Sequence, residues 1–573
     1  MELCYIWVSD YKGFRNQGFN FSSKFNFEFN FEKSFLTRNE NKKFIKNFFG
    51  NDIVEITGII GKNASGKTNI IELIQYVING ANTIVNTPFF AVFKTKNDFK
   101  IFNYKSPSIQ NNFSAKEENY DGKIPEINSI FFSNIFDGRR HNFSKKTIDI
   151  STNDLLNSQF GENINKNYQK TIQQQIRFIE SKEFALLENI EKEINVNDDI
   201  KIKPSKVILT SPIWSNIINR IRSFDEKTEN IKDVQFKLRE FVLSFRKKIT
   251  DNKSTNSIKY FTAFIVFIDF VLNRDILKFP GGKYKDEREY YEMVNSIFKK
   301  TKEDLRIDEI YKYLTKEFAI QIDNNFNVPE THKFLIELDE YNFGIENDYN
   351  FKEDIGTYAS RRIQFTLNYN DTVGSFLTCY LDAVTNQNLA YSIEWAGISS
   401  GHKAYINLFA NFHSILNKIN EENVIICIDE GDLYFHPKWQ TEFLYKIINV
   451  LPKLMNSRCQ IFLTTHSPFL ISDLPKSNLL FVQKNDRIDN LTVIPNDTID
   501  GETFGGNIGD LYLDAFFMQG SLISYFAASK IKLLISRIKN ESFEVSNQDR
   551  IFISQIGEEI IQMQLNDLIH DKN

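Results

Sequence analysis

The sequence predicts an α/β fold with mixed and parallel sheets in two lobes, split by a mainly helical insertion and followed by a helical tail. Three observations predict it. An apolar run, Ile53-Val54-Glu55-Ile56-Thr57-Gly58-Ile59-Ile60, leads into Gly61-Lys62-Asn63-Ala64-Ser65-Gly66-Lys67-Thr68, and a helix-like run from Asn69 to Ile74 follows. Far downstream, the segment Glu422 to Glu430 holds five consecutive apolar residues that end on Asp429 and Glu430. That is the pattern of a buried parallel strand with acids at its carboxyl-terminal edge. Between these landmarks, residues 156 to 345 turn polar and rich in Lys, Glu and Asn. Ile231, Val234, Leu238, Phe241 and Phe245 recur there at helical spacing.

Each part has its own signals. Residues 1–155 carry strand-like runs at 3–8, 25–31, 53–60 and 127–133. The insertion, 156–345, contains the most apolar stretch of the chain, 260–272; it is too short for a bilayer and Asp269 interrupts it, so a buried helix is expected. Residues 346–480 form the second lobe, with strand patterns at 362–367 and 375–381 before the acid-ended run. Residues 481–573 read as helical with one sharp glycine-bearing turn, a region suited to docking a partner. No solenoid repeat appears, and no heptad pattern persists long enough for a coiled-coil arm.

The 573 residues suffice for two to four domains, and 42% hydrophobic with 25% charged residues is ordinary for a soluble globular protein. The net charge of −5 argues against a uniformly basic nucleic-acid binder. One stretch departs from that balance: residues 201–250 hold 12 Lys/Arg and 5 Asp/Glu, a local excess of +7. Arg220, Arg222, Lys237, Arg239, Arg246, Lys247 and Lys248 lie there, either to meet a phosphate backbone or as a solvated helix face, the plainer reading. Cys4, Cys379, Cys427 and Cys459 are too scattered for a metal-ligand pair and read as reduced thiols of a cytoplasmic protein. The start of the chain lacks a basic, then apolar, signal-peptide pattern, and no membrane partner is expected.

The chemistry resides in a few segments. Gly61 to Thr68 fits G-x-x-x-x-G-K-[ST], in which glycines let backbone N–H groups close around phosphate oxygens at a helix N-terminus. Gly61, Asn63, Ala64, Ser65 and Gly66 would form that cradle, Lys67 would reach the β- and γ-phosphates of ATP, and the Thr68 hydroxyl would hold Mg²⁺. Asp429 would hold the same Mg²⁺, and Glu430 would act as general base on an attacking water. His466, in Thr464-Thr465-His466-Ser467-Pro468, stands at another strand end. It would either sense the γ-phosphate or be satisfied by local backbone. Ser399-Ser400-Gly401 precedes a helix-like run from Ala404 to Leu416 and offers hydroxyls and free N–H groups, either to a second phosphate or as a plain N-cap.

Together these segments resemble the ABC-type ATPase heads of the RecF, SMC and OLD group over roughly 1–155 and 345–480. Gly61 to Thr68 resembles its Walker A motif, Ile398-Ser399-Ser400-Gly401 its signature, Asp429-Glu430 its Walker B motif, and His466 its switch histidine. The resemblance implies that two heads sandwich two ATP molecules, with Ser399, Ser400 and Gly401 of one copy meeting the γ-phosphate held by the other copy's Lys67. There are departures. His402 closes the signature where Gln or Glu is usual, Gly431 replaces the proline after the acid pair, and His436 stands where transporters carry an aspartate. No Q-loop glutamine stands out; Ser133-Asn134 is expected to fill that position. Tyr11-Lys12-Gly13-Phe14-Arg15 resembles the nucleotide-flanking segment of such heads, so Lys12 or Arg15 either touches the nucleotide or belongs to a solvated turn.

A second resemblance is narrower. Glu502-Thr503-Phe504-Gly505-Gly506-Asn507-Ile508-Gly509-Asp510-Leu511 with Asp514-Ala515-Phe516-Phe517, together with 7–11 and 133–137, is similar to the ATPase subunits of Septu-type and retron-associated anti-phage systems. It implies a homodimer or higher homo-oligomer, and a separately encoded HNH-type nuclease as partner. No Toprim-like acidic pattern follows residue 480, so nuclease chemistry within this chain is not expected. Three other readings stay open: a DNA-repair ATPase that clamps duplex DNA, a nucleotide-sensing scaffold with little turnover, and a structural subunit whose site is vestigial.

Overall fold

The structure is a computed structural model. It describes residues 1–80, 87–157, 164–194, 202–212, 217, 219, 229–251, 256–272, 296, 305–343, 362–384, 390–485, 490–514, 524–540 and 544–570, apart from positions 97, 136, 140, 142, 327, 417, 420, 421, 456 and 500. Arg220 and Arg222 of the basic stretch, Phe136, and 515–517 of the tail motif lie outside these residues, as do the side chains of Ile231 and Val234.

Eighteen strands are described. They are β1 (Glu2–Tyr11), β2 (Phe14–Asn20), β3 (Phe25–Asn30), β4 (Phe35–Glu40), β5 (Ile53–Gly61), β6 (Phe89–Lys94), β7 (Phe99–Tyr104), β8 (Gln110–Asn111) and β9 (Ala115–Asn119). The rest are β10 (Ile127–Ser133), β11 (Ile148–Asp149), β12 (Lys206–Thr210), β13 (Gln364–Asn368), β14 (Ser392–Ala396), β15 (Asn423–Asp429), β16 (Arg458–Thr464), β17 (Leu479–Asn485) and β18 (Asn490–Ile494). Twelve of them form one sheet in the order β11-β10-β15-β16-β5-β17-β18-β2-β1-β6-β7-β9. From β11 to β17 every pairing is parallel, and from β17 onward antiparallel pairings dominate.

The two halves read differently because their surroundings differ. β5, β15 and β16 are buried on both faces and carry mostly apolar residues, with the polar ones among them, such as Glu55 and Gln460, hydrogen-bonded within the protein. β3 alternates, with Phe25 and Phe27 inward and Asn26 and Glu28 outward, as suits a half-covered antiparallel strand. β1 and β2 meet in a two-residue turn in which Lys12 and Gly13 have φ of +44° and +95°, the left-handed pair that matches hairpin twist.

The sheet folds back over the helix Lys67–Asn79. One core holds Leu3, Ile6 and Val8 of β1, Phe14 and Phe19 of β2, the helix residues Ile70, Leu73 and Val77, and Cys427 and Phe462 of β15 and β16. The fold-over is fixed by polar contacts as well. The buried Gln460 amide in β16 accepts from the Leu3 N–H and donates to the Leu3 carbonyl, both at 2.8 Å. The Met1 ammonium reaches Asn423 Oδ1 at 2.6 Å.

The described residues of the insertion are mainly helical, and the apolar stretch near 260 is the buried helix Ser257–Leu272. It also contributes β12, which pairs with β13 and β14 of the segment beyond it. Two expectations are corrected. Residues 375–381 are not a strand; they belong to the helix Asp371–Ala383. The Asn370 side chain caps it by accepting from Val373 N–H at 2.9 Å, and Val373, Phe376, Leu377 and Tyr380 bury one face at helical spacing. Residues 481–573 are not helical throughout. β17 crosses position 480 and forms a hairpin with β18; helices begin at Ile508–Asp514 and continue as Tyr525–Ile538, Asn547–Ser554 and Glu559–His570.

The basic stretch is less of a surface than its charge suggested. Arg246 is buried, and Lys248 donates to the Leu305 carbonyl. All four cysteines are free, and Cys4, Cys427 and Cys459 are buried.

Two stability measurements check this architecture. Gln460→Leu keeps the bulk but leaves a buried N–H and carbonyl of Leu3 without partners, which should cost about 2–4 kcal/mol in urea unfolding. The second concerns Glu55 of β5, whose carboxyl burial pushes up to about 7. The folded state then binds more protons than the unfolded chain between the ordinary carboxyl value of 4.5 and 7, so this group makes stability fall as pH rises across that window. The drop is complete above pH 7 and amounts to about 3 kcal/mol. In urea midpoints taken at several pH values, Glu55→Gln should remove that slope; an identical slope in the variant would refute the assignment.

Candidate active site

The parallel strands end together. Register places Asp429 beside Ser133 and Thr464, and Thr464 beside Ile59, so β10, β15, β16 and β5 deliver their last residues to one edge. Carboxyl-terminal strand edges are where open α/β sheets bind ligands.

β5 turns into the helix Lys67–Asn79 through the glycine loop. Gly66 has φ +92°, and a Cβ there would lie 2.6 Å from Leu491 and 2.8 Å from Phe14. A Cβ on Gly61 would lie 2.3 Å from the Val482 carbonyl. Both positions admit only glycine. Ala64 also takes a left-handed conformation, φ +60°, and the buried Ser65 hydroxyl has no protein partner. Lys67 is 6% exposed, and its ammonium donates to the carbonyls of Gly61 at 3.1 Å and Lys62 at 3.3 Å. Burial pushes it down to about 8, against the pull of Glu430 and Asp429. The loop thus keeps a cation ready beneath a ring of backbone N–H groups, a cradle that fits a triphosphate.

Asp429 lies within hydrogen-bonding distance of two hydroxyls. Thr464 Oγ1 is 2.5 Å from its Oδ1, and Thr68 Oγ1 is 3.1 Å from its Oδ2. Burial raises its carboxyl above the usual range; the two hydroxyls oppose the shift and Glu430 adds to it. A buried carboxylate beside a second acid and a threonine hydroxyl is a donor set of hard oxygens that fits Mg²⁺. Glu430 follows with φ +49°, held by its N–H on the Thr464 hydroxyl at 2.9 Å. The left-handed twist separates its side chain from the strand. Its Oε1 lies 3.3 Å from His466 Nε2, and that contact, with the charges of His466 and Lys67, keeps its carboxyl below the usual range despite partial burial. His466 Nε2 also lies 2.9 Å from Lys67 Nζ. Lys67, Thr68, Asp429, Glu430 and His466 therefore form one connected cluster.

The signature segment is placed differently. Ser399 and Ser400 are exposed at the start of the helix Ser400–Leu416, and Ser399 Oγ accepts from the His402 N–H at 3.2 Å. Gly401 is buried, and a Cβ there would lie 2.7 Å from the Tyr434 carbonyl, so the helix presses on the loop that follows the acid pair. His402 faces inward: its Nε2 meets the Ile202 carbonyl at 2.6 Å and its ring packs edge-on against Trp439. It is a packing residue at this position. His436 caps the helix Pro437–Val450 through Nδ1.

Asn134, just after β10, donates to the Gly431 carbonyl at 2.8 Å. Lys12 is directed to Glu72 on the P-loop helix rather than to the glycine loop, and Arg15 is exposed with Asp10 at 4.0 Å. Sequence reasoning missed Glu72, which binds both Lys12 and His141, the latter at 3.0 Å. It also missed the Thr465–Asp432 hydrogen bond of 2.7 Å behind the acid pair. Asp432 lay within two residues of Walker B, and that proximity was the available signal.

Among the described residues no helix is long and apolar enough to cross a membrane. The chain is similar to the Retron Vc95 probable ATPase of Vibrio cholerae serotype O1 biovar El Tor, 25% identical over 240 residues, which is 40% of each protein. It is 26% identical over 176 residues to the Retron Ec83 probable ATPase of Escherichia coli, covering 28% of this chain and 30% of that one. A third match is the Septu protein PtuA of Bacillus thuringiensis, 43% identical over 54 residues, or 9% and 12% of the two chains. The chain thus spans two fifths or less of these curated relatives. A family model described as an AAA ATPase domain matches residues 1–471 of the 573. With most of its length so matched, the chain belongs to the AAA ATPase domain family.

Proposed function

We propose that this chain hydrolyses ATP with Mg²⁺ as the ATPase subunit of a bacterial anti-phage complex. Two copies close around ATP and thereby govern a separately encoded HNH-type nuclease. The observation that supports the catalytic part is the cluster of Lys67, Thr68, Asp429, Glu430 and His466 at one sheet edge. The similarity to retron and Septu proteins supports the cellular role.

Each residue has a task in this reading. The glycine loop and Lys67 hold the triphosphate, and the hydroxyl of Thr68 and the carboxylate of Asp429 hold the metal. Bound there, Mg²⁺ would neutralise charge on the β- and γ-phosphates. Glu430, kept ionised by His466, accepts a proton from the attacking water. Ser399 and Ser400 are exposed and free to meet the nucleotide of a second copy. Lys12 and Arg15 contribute at most to the flank of the site, since Lys12 is bound to Glu72. Contact with nucleic acid and a cytoplasmic location belong to the same reading.

Glu430→Gln should retain ATP binding while turnover falls by about 10²–10⁴. With ATP and Mg²⁺ it should accumulate as a dimer in a mass measurement, and a strictly monomeric variant would refute the sandwich. Ser400→Arg should bind ATP as a monomer but fail to dimerise; a normal ATP-driven dimer would remove the signature from the composite site.

A further inference from the structure

On the edge of the sheet opposite the glycine loop, the described residues line a partly open cavity of about 220 Å³. Its floor is the start of β5 and β16 and the turn before β17; its wall is the segment 43–49. Five cations line it: Lys24, Lys43, Lys46, Lys94 and Arg458. Only two carboxylates, Glu2 and Glu55, line it with them.

The partners of these groups decide what the cavity can hold. Lys43 pairs with Glu502 at 2.6 Å, Lys94 faces Glu2 at 3.8 Å, and Lys24 lies over the rings of Phe25 and Phe44. Lys46 and Arg458 have no carboxylate partner among the described residues. Glu55 does not serve them. Its oxygens accept from the Ser23 N–H at 3.0 Å, the Ser23 hydroxyl at 2.6 Å and the Asn478 amide at 2.6 Å, which turns its acceptor capacity into the protein. The cavity is therefore rich in donors and poor in acceptors, with aromatic carbon of Phe44 and Phe48 along one wall. A guanidinium and an ammonium without carboxylates are complementary to a dianionic phosphate. A cavity of this size is on the scale of a mononucleotide and far below that of a duplex.

We propose that this cavity binds a phosphomonoester of mononucleotide size, its phosphate on Arg458 and Lys46 and its body against Phe44 and Phe48. The site is independent of the glycine loop, and its existence does not rest on the proposed hydrolysis. Its wall is coupled to the catalytic edge. The Phe48 ring packs on Phe504 with centroids 5.1 Å apart, and the Gly505 N–H donates to the Ser472 carbonyl at 2.8 Å. Ser472 ends the helix Pro468–Ser472, which begins two residues after His466. An occupied cavity would therefore stiffen the segment that carries His466.

The test uses the full chain with Lys67→Ala, to weaken triphosphate binding at the glycine loop. AMP and inorganic phosphate are titrated by calorimetry. AMP should bind in the range of about 10–500 µM, with inorganic phosphate about tenfold weaker. Arg458→Glu in that background should weaken AMP by about tenfold or more, with its melting temperature unchanged. Lys46→Glu, at an exposed position, is the second variant if the first fails to fold, and should act alike. A 5′-phosphorylated oligonucleotide that displaces AMP, where its 5′-hydroxyl counterpart does not, would identify a strand end as the source; no displacement would identify a free nucleotide. Absence of AMP binding at millimolar concentration, or equal affinity in the charge-reversed variants, overturns the proposal.

Discussion

Everything at the carboxyl-terminal edge depends on Asp429 receiving two threonine hydroxyls. Thr68 comes from the P-loop helix, Thr464 from the neighbouring strand, and neither is near Asp429 in sequence. Burial of this carboxylate is tolerable only because hydroxyls meet it, and without a cation its proton affinity still rises. The same Thr464 hydroxyl also accepts from the Glu430 N–H, which fixes the left-handed backbone at Glu430. One small side chain therefore sets both the position of Asp429 and the direction of Glu430. Moving β16 by one residue would place Thr464 on the opposite face of the sheet and dissolve both contacts.

The signature helix is set by another group of contacts, and these come from the insertion. His402 binds the Ile202 carbonyl, and Trp395, just before the signature, donates to Gln175 at 2.7 Å. β12 of the insertion pairs with β14, which leads into the signature. On the other side, Gly401 lies against the Tyr434 carbonyl in the loop after the acid pair. A displacement of the insertion must therefore move residues 399–401 relative to Asp429 and Glu430 or break buried contacts. In the proposed reading, this is the route by which events at the helical insertion reach the nucleotide.

The core of the catalytic edge was legible because its chemistry is local. The glycine loop, the apolar run ending in Asp429 and Glu430, and β10 could be bounded to within a residue or two, since buried parallel strands are rich in apolar residues on both faces. The antiparallel half was less legible. β2 reads Phe-Arg-Asn-Gln-Gly-Phe-Asn, with two exposed polar residues, Arg15 and Asn16, and only the Lys12-Gly13 turn marks it as the return strand of a hairpin. The helix Asp371–Ala383 was misread because Phe376, Leu377, Tyr380 and Leu381 resemble an apolar strand run, and the decisive Asn370 cap lies outside that run. The fold-over of the sheet had no local signature at all. It rests on Gln460, an amide inside an apolar strand, whose partner is Leu3. A buried polar side chain of that kind announces a partner without naming it.

The environment of His466 carries the argument one step further. Its Nε2 is 2.9 Å from the Lys67 ammonium and 3.3 Å from the Glu430 carboxylate. One ring nitrogen cannot accept a proton from the first and donate one to the second. Lys67 is held by Gly61, Lys62 and this nitrogen, so the ammonium and the Glu430 carboxylate meet at one atom of the ring. A triphosphate in the loop competes for the same ammonium. On the proposed reading, a triphosphate that draws Lys67 away would leave Nε2 to Glu430 alone. Occupancy of the loop and the orientation of the base are then linked through one imidazole.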